Sequence, residues 1–451
     1  MQSALAKLMD AGAEFCDVLL QETSSAAIRS INGRVRDLDD KRSSGIRVRV
    51  WKAGRWGYSS SIRPEKAELY RCCDEALRNA HGTEDSLSLE APSLRGDFPA
   101  KVRIHPDDVP LEEKLRCVLE LDKAQTMEGV VNRIASYSEE VKKNILVNSS
   151  GADLSWEELR TRFRAMSVAS DGSRLERYYD GPDSSLGFET VNNTDIEALG
   201  RRTATEAVRT LEAAAPPSGR NTVISDPMVT GLLAHEVIGH ASEADEVVRQ
   251  RSFLMGMMGR KVGSEIVTLV DDGAVPGAHG SIPFDDEGSP GRRTEIIKEG
   301  IYTGYINDLL TASIMGAEPT GNGRAQDFGR RVWVRMTNTF IEPGDCSIEE
   351  IIAETDEGVI CDKMVNGMED PVGGGFEAKV LRGFLVRNGE LGPMVRSFTL
   401  TGKALEILQT VDMVSDKLEL DGGMCGKGIE DWVNVSSGGP YLRSRIIVGG
   451  A

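Results

Sequence analysis

Two of the chain's five histidines stand five residues apart in the stretch A-H-E-V-I-G-H-A-S-E-A-D, residues 234–245, with Glu236 directly after the first. Zinc hydrolases with an H-E-x-x-H helix set two histidines one turn apart, so that both imidazoles face one Zn²⁺ while the glutamate activates a water. Here the spacing is one residue longer. On a regular helix, positions i and i+4 lie roughly 40° apart, but i and i+5 lie roughly 140° apart. A straight helix therefore cannot aim His235 and His240 at one ion. Gly239, just before His240, permits the last turn to unwind or take a π-bulge, which turns the second ring back toward the first. The stretch reads as a helix that ends at its own metal site.

A catalytic zinc usually has three protein ligands and a water, so a third ligand must come from elsewhere. The candidates are His279 in V-P-G-A-H-G, the nearby carboxylates Glu243 and Asp245, and a cysteine thiolate. Among the seven cysteines, Cys425 stands out because G-G-M-C-G-K-G gives it the texture of a tight loop that can approach an ion closely. Glu243 and Asp245 can alternatively hold a ligand imidazole by its other nitrogen, or be solvated acids after a helix. Gly373, Gly374 and Gly375, beside strand-like E-A-K-V-L, can present unpaired backbone to an extended peptide. A plain glycine turn is the simpler reading there.

These residues need elements to position them. A length of 451 residues exceeds one ordinary core. The stretch A-P-P-S-G is the best linker, dividing an N-terminal mixed α/β region (1–215) from a C-terminal β-rich region (221–451) across residues 216–220. The first region reads as strand-rich, with an Asn32-Gly33 hairpin and an alternating G-I-R-V-R-V-W strand whose arginines imply one wet sheet face. A second block, from K-N-I-L-V-N onward, repeats the order of strand, glycine turn, long strand, glycine turn and strand, which suggests an internal duplication. After the linker, short strands between glycine turns predict an antiparallel barrel or sandwich carrying the histidine helix, and so an α+β fold. A net charge of −18 disfavours nucleic acid and anionic lipid as partners. No segment approaches the apolar length of a membrane span, no signal segment is evident, and the scattered cysteines suit a reducing compartment, so the expected location is the cytoplasm.

In order along the chain, H-E-V-I-G-H-A-S-E-A-D, F-D-D-E-G-S-P-G-R, E-P-T-G-N-G-R, R-M-T-N-T, V-G-G-G-F and M-C-G-K-G resemble the TldD/PmbA family of metallopeptidases, once described as modulators of DNA gyrase. The resemblance is to the catalytic TldD branch, since the metal motif that the partner branch lacks is present here. It implies His235, His240 and Cys425 as ligands of one Zn²⁺ per chain and Glu236 as the catalytic carboxylate acting on a metal-bound water. It implies small, extended or unfolded peptides as substrates. It also implies a dimer, either a homodimer or a heterodimer with a PmbA-like (TldE-type) paralogue. C-G-K-G-I-E departs from the family's more usual run and leaves the role of the residues after Lys427 open. Two other functions compete with the peptidase: a metal-dependent amidohydrolase on a small non-peptide amide, and a non-catalytic binding or regulatory subunit.

Overall fold

The computed structural model describes residues 1–82, 87–370, 372–428 and 431–449. Alternation in the first half produces one large sheet, ordered Arg55–Ser61, Arg34–Lys52, Phe15–Ile31, Val130–Asn148, Asp153–Ser170 and Arg95–Phe98. All neighbours are antiparallel except the last pair. Asn32 and Gly33 both take positive φ, 52° and 76°, as a tight hairpin turn demands. The suspected repeat is visible in the topology. Each half contributes a long hairpin, a short third strand (Arg55–Ser61 or Leu175–Asp180) and a helix (Lys66–Asn79 or Ile196–Thr210). The halves meet where Phe15–Ile31 pairs with Val130–Asn148.

One sheet face is covered by helices. Gln2–Asp10 and Lys66–Asn79 pack Leu5, Leu8, Cys72 and Cys73 on Val18, Val48 and Val50, while Leu111–Ala124 and Ile196–Thr210 pack Val118, Leu121 and Leu199 on Tyr137 and Phe163. The other face corrects the expectation of a wet surface. Arg47 and Arg49 are 1% and 0% exposed, because the C-terminal half lies on them. Arg49 bonds Asp17 and Glu287, Arg160 donates to the Ser281 carbonyl at 2.8 Å, and Arg162 donates to the Gly422 carbonyl at 2.8 Å. The alternation that hides valines from water on one side thus hides arginines on the other, where carboxylates and carbonyls replace solvent.

The second half contains a closed five-stranded barrel. Glu357–Asp370, Gly375–Arg387, Glu390–Lys403, Leu442–Gly449 and Gly219–Ser225 pair in a ring, antiparallel except between the first and last. Its first strand starts at Gly219, inside the stretch read as linker, where Gly219 and Arg220 already pair with Val448 and Ile447. A second sheet runs Ile301–Tyr302, Arg293–Lys298, Leu269–Asp272, Asn338–Ile341, Asp431–Gly439 and Glu419–Lys427. The histidine-bearing helix shares one core with both: Leu233, Val237 and Ile238 pack with barrel residues Val380, Phe398 and Leu400 and with Leu269, Ile341 and Val435 of the second sheet.

The glycine run at 373–375 is a hairpin tip whose backbone is already engaged. Gly373 N donates to Asp370 Oδ1 at 2.8 Å, Gly374 N to the Asp370 carbonyl at 2.7 Å, and Gly375 pairs with both Asp370 and Lys403. The run is thus a plain glycine turn, the simpler of the two readings, and not a stretch of unpaired backbone.

Candidate metal centre

The helix begins at Asp226, whose carboxylate accepts from Val229 N at 3.0 Å, with Pro227 in the first helical position. The second Asp226 oxygen accepts from Lys363 N at 2.7 Å, on the barrel. From Leu233 to Gly239 the helix is a π-helix, and the His240 amide donates to the His235 carbonyl. That i→i+5 bond joins the two residues whose rings had to be brought to one side, and it does so as π-geometry allows. The ring centroids lie 5.2 Å apart, nearly perpendicular.

Gly239 serves this arrangement for a different reason from backbone freedom. A Cβ there would stand 2.1 Å from Met336 Sδ, while no left-handed φ is recorded at this position. The glycine is needed because a neighbouring segment presses against the helix.

The third member comes from Glu419–Lys427, the edge strand of the second sheet. Cys425 Sγ is 3.3 Å from His240 Nε2, and one ligand atom from each of His235, His240 and Cys425 can be chosen so that all lie within 4.8 Å of one another. Burial by itself would raise the Cys425 thiol, but the facing His240 and His235 hold it well below the usual thiol range. Burial would likewise lower both imidazoles; the Cys425 charge overrides it, and His240 is raised well above its ordinary value, helped by Glu243. Two nitrogens and a thiolate sulfur in a buried cluster form a donor set that could hold Zn²⁺. His235 Nδ1 is buried without a hydrogen-bond partner.

Glu236 stands at the open side. Its side chain is 22% exposed against 12% for His240, and its Oε2 lies 3.9 Å from His240 Nε2. Glu243 takes the opposite nitrogen: its Oε1 is 3.4 Å from His240 Nδ1, and its Oε2 accepts from Lys427 at 2.7 Å. Asp245 does not approach the imidazoles as closely as Glu243; it accepts from the same Lys427 at 2.7 Å. Burial raises Asp245 to about 6. Burial would raise Glu243, but Lys427, then His240 and Arg335, outweigh it and hold the carboxyl at about 2. His279 lies outside the cluster. It packs on Gly422, and burial, then Arg160 and Arg162, push its pKa down to about 2, so it is a neutral interior histidine.

Sequence reasoning missed Arg335 and Met336. Both lie in R-M-T-N-T, one of the motifs that carry the family resemblance, but the stretch has no metal-ligating residue and nothing in it gives these two a role. Ile429 and Glu430, the residues after Lys427 whose role was open, lie outside the described residues.

Three family models match in succession: PmbA/TldA metallopeptidase domain 1 over residues 16–80, the central domain over 104–211 and the C-terminal domain over 218–450. The first two fall on the two repeated halves of the N-terminal sheet. A metalloprotease of Methanothermobacter thermautotrophicus is 34% identical over 97% of this chain and 96% of its own. A zinc metalloprotease TldD homolog of Saccharolobus solfataricus is 25% identical over 98% of both chains. The crystal structure of TldE from Thermococcus kodakarensis superposes with a TM-score of 0.79 at 20% identity, covering all of both chains, which is a likeness of fold.

Proposed function

Because the chain belongs to the PmbA/TldA metallopeptidase family, we propose that this metallopeptidase is zinc-dependent, with His235, His240 and Cys425 as the ligands of one Zn²⁺ per chain and Glu236 as its catalytic base. The observation that carries the reading is the convergence of two imidazoles and a thiol from elements far apart in sequence. The zinc-metalloprotease name of one relative supports the choice of ion. Zinc, when bound, supplies a Lewis acid that polarises a peptide carbonyl and acidifies water.

The chain's own residues do the rest. Glu236, at the open side of the cluster, takes a proton from the attacking water and delivers it to the departing amine. Glu243 Oε1 faces His240 Nδ1 at 3.4 Å and orients the ring electrostatically, leaving Nε2 for the ion. Burial of the cluster keeps the field of these charges strong. Small, extended or unfolded peptides are the substrates in this reading, and the protein works in the cytoplasm as a dimer, with a second copy or with a TldE-type paralogue. Residues 1–215 form the scaffold domain, and the peptidase domain follows from the barrel strand that begins at Gly219.

Glu236→Gln tests the assignment. Cleavage of an unstructured polypeptide is lost while zinc content stays at one per chain; cleavage that survives would remove Glu236 from the mechanism.

A further inference from the structure

The proposed ligands come from a helix and from a distant edge strand, and a third segment spaces the two. Arg335 is 0% exposed. Its Nη2 donates to the Cys425 carbonyl at 2.7 Å and its Nη1 to the Asp431 carbonyl at 2.8 Å. Its Nε lies 3.8 Å from Glu243 Oε1, the same oxygen that stands 3.4 Å from His240 Nδ1. Neither Arg335 Nε nor Glu243 Oε1 has a hydrogen-bond partner. The next residue, Met336, is the one pressed against Gly239.

This segment is itself fixed from behind. Arg335 N donates to the Asn322 carbonyl at 2.8 Å, and Asn322 Nδ2 donates to the Arg335 carbonyl at 2.9 Å and to Asp271 at 2.7 Å. Asp271 also accepts from Thr337 N and from the Thr337 and Thr339 hydroxyls at 2.7–2.9 Å. Arg324 donates to the Met336 carbonyl. Residues 335 and 336 thus touch both halves of the ligand set from a rigid base.

We infer that Arg335 is a positioning residue of the metal centre, holding the Cys425 strand and the Glu243–His240 pair in one frame and so setting metal affinity without touching substrate. The inference rests on the reading of His235, His240 and Cys425 as ligands. A guanidinium carries its donors in a rigid planar fork, and here one edge serves two carbonyls while Nε faces the carboxylate. An ammonium keeps the charge but cannot span those three oxygens. Lys427 fixes the other Glu243 oxygen from its own side, so the carboxylate has little freedom except along the line between Arg335 and His240.

The test uses the full chain, stripped with a chelator and titrated with zinc against a chromophoric competitor, and loaded separately with Co²⁺ to read the thiolate and ligand geometry in its visible spectrum. Arg335→Lys and Glu243→Gln each weaken zinc binding about 10- to 100-fold and shift the cobalt bands. The double variant loses less than the product of the two, because both act through one contact. Wild-type zinc affinity and cobalt spectrum in folded Arg335→Lys would overturn the inference, as would full multiplicative loss in the double variant. If Arg335→Lys does not fold, Arg335→Gln, which keeps a planar amide donor, takes its place: weaker zinc binding with shifted cobalt bands supports the inference, and unchanged affinity and spectrum overturn it. A wild-type chain that takes up no zinc, or His235→Ala that retains it fully, would instead defeat the reading of the ligands.

Discussion

Two buried charged layers in this molecule invite comparison. Between the N-terminal sheet and the C-terminal half, Arg49 bonds Asp17 at 2.8 Å and Glu287 at 2.6 Å, and Glu287 also accepts from Leu309 N at 2.7 Å. At the metal centre, Lys427 bonds Glu243 and Asp245, each at 2.7 Å, and Arg335 bonds the Cys425 carbonyl. Both layers remove full charges from water. In the first, all three Arg49 nitrogens are engaged by carboxylates and the layer joins two halves of the fold, with Asp17 Oδ1 and Arg47 Nε left without a hydrogen-bond partner. In the second, the charges converge on imidazole and thiol groups, and atoms such as His235 Nδ1 and Glu243 Oε1 keep spare bonding capacity. Neither buried charge nor an unpartnered polar atom distinguishes a site from a joint; the gathering of His235, His240 and Cys425 ligand atoms within 4.8 Å does.

The comparison can be broken at either layer. The largest effect is expected at the cluster itself, where Glu236→Gln lowers kcat/KM on an unstructured polypeptide about 10²- to 10⁴-fold, with zinc content unchanged by elemental analysis. At the joint, Arg49→Met strands Asp17 and Glu287, and denaturant unfolding shows a loss of about 3–5 kcal/mol. Because burial already raises Glu287 to about 7, protonation of this group offsets part of the loss below neutral pH. Zinc bound per folded chain stays constant in that variant, whereas a fall would tie the joint to the site.

A smaller effect links the two behaviours. Gly239→Ala drives a methyl into Met336 and costs about 1–3 kcal/mol by overpacking, and competition titration shows weaker zinc binding because the π-turn shifts. Smallest of all is Gly373→Ala. The new Cβ stands 2.2 Å from Asp370 Oδ2, but that side chain is exposed and free to shift, so stability stays within about 0.5 kcal/mol and cleavage is unchanged; a drop in kcat/KM at constant stability would restore the glycine run as a peptide seat.

What could be read in the sequence follows the range of the interactions. The His235–His240 pair and its need for a distorted turn are local, and the five-residue spacing with Gly239 left an unwound turn or a π-bulge, of which the structure has the π-geometry. The hairpin at Asn32-Gly33, the repeated strand blocks and the barrel carrying the helix were legible for the same reason, since turn chemistry and alternation are written in consecutive residues. Cys425 was singled out by its glycine flanks, one candidate among several until the resemblance weighed in. Arg47 and Arg49 were misread because alternation tells which residues share a face but not what covers it. Gly239 was the right residue with the wrong cause: its small size answers Met336, a contact across nearly a hundred residues. Arg335 stood in the R-M-T-N-T motif without a role, because that role exists only where three distant segments meet.

The most direct measurement is zinc content and peptide cleavage on the wild type and Cys425→Ala, purified side by side. The account predicts about one zinc per wild-type chain, with zinc and cleavage lost together in the variant. Full zinc and full cleavage without Cys425 would contradict it, and the two histidines would then need a third partner other than the sulfur that stands 3.3 Å from His240.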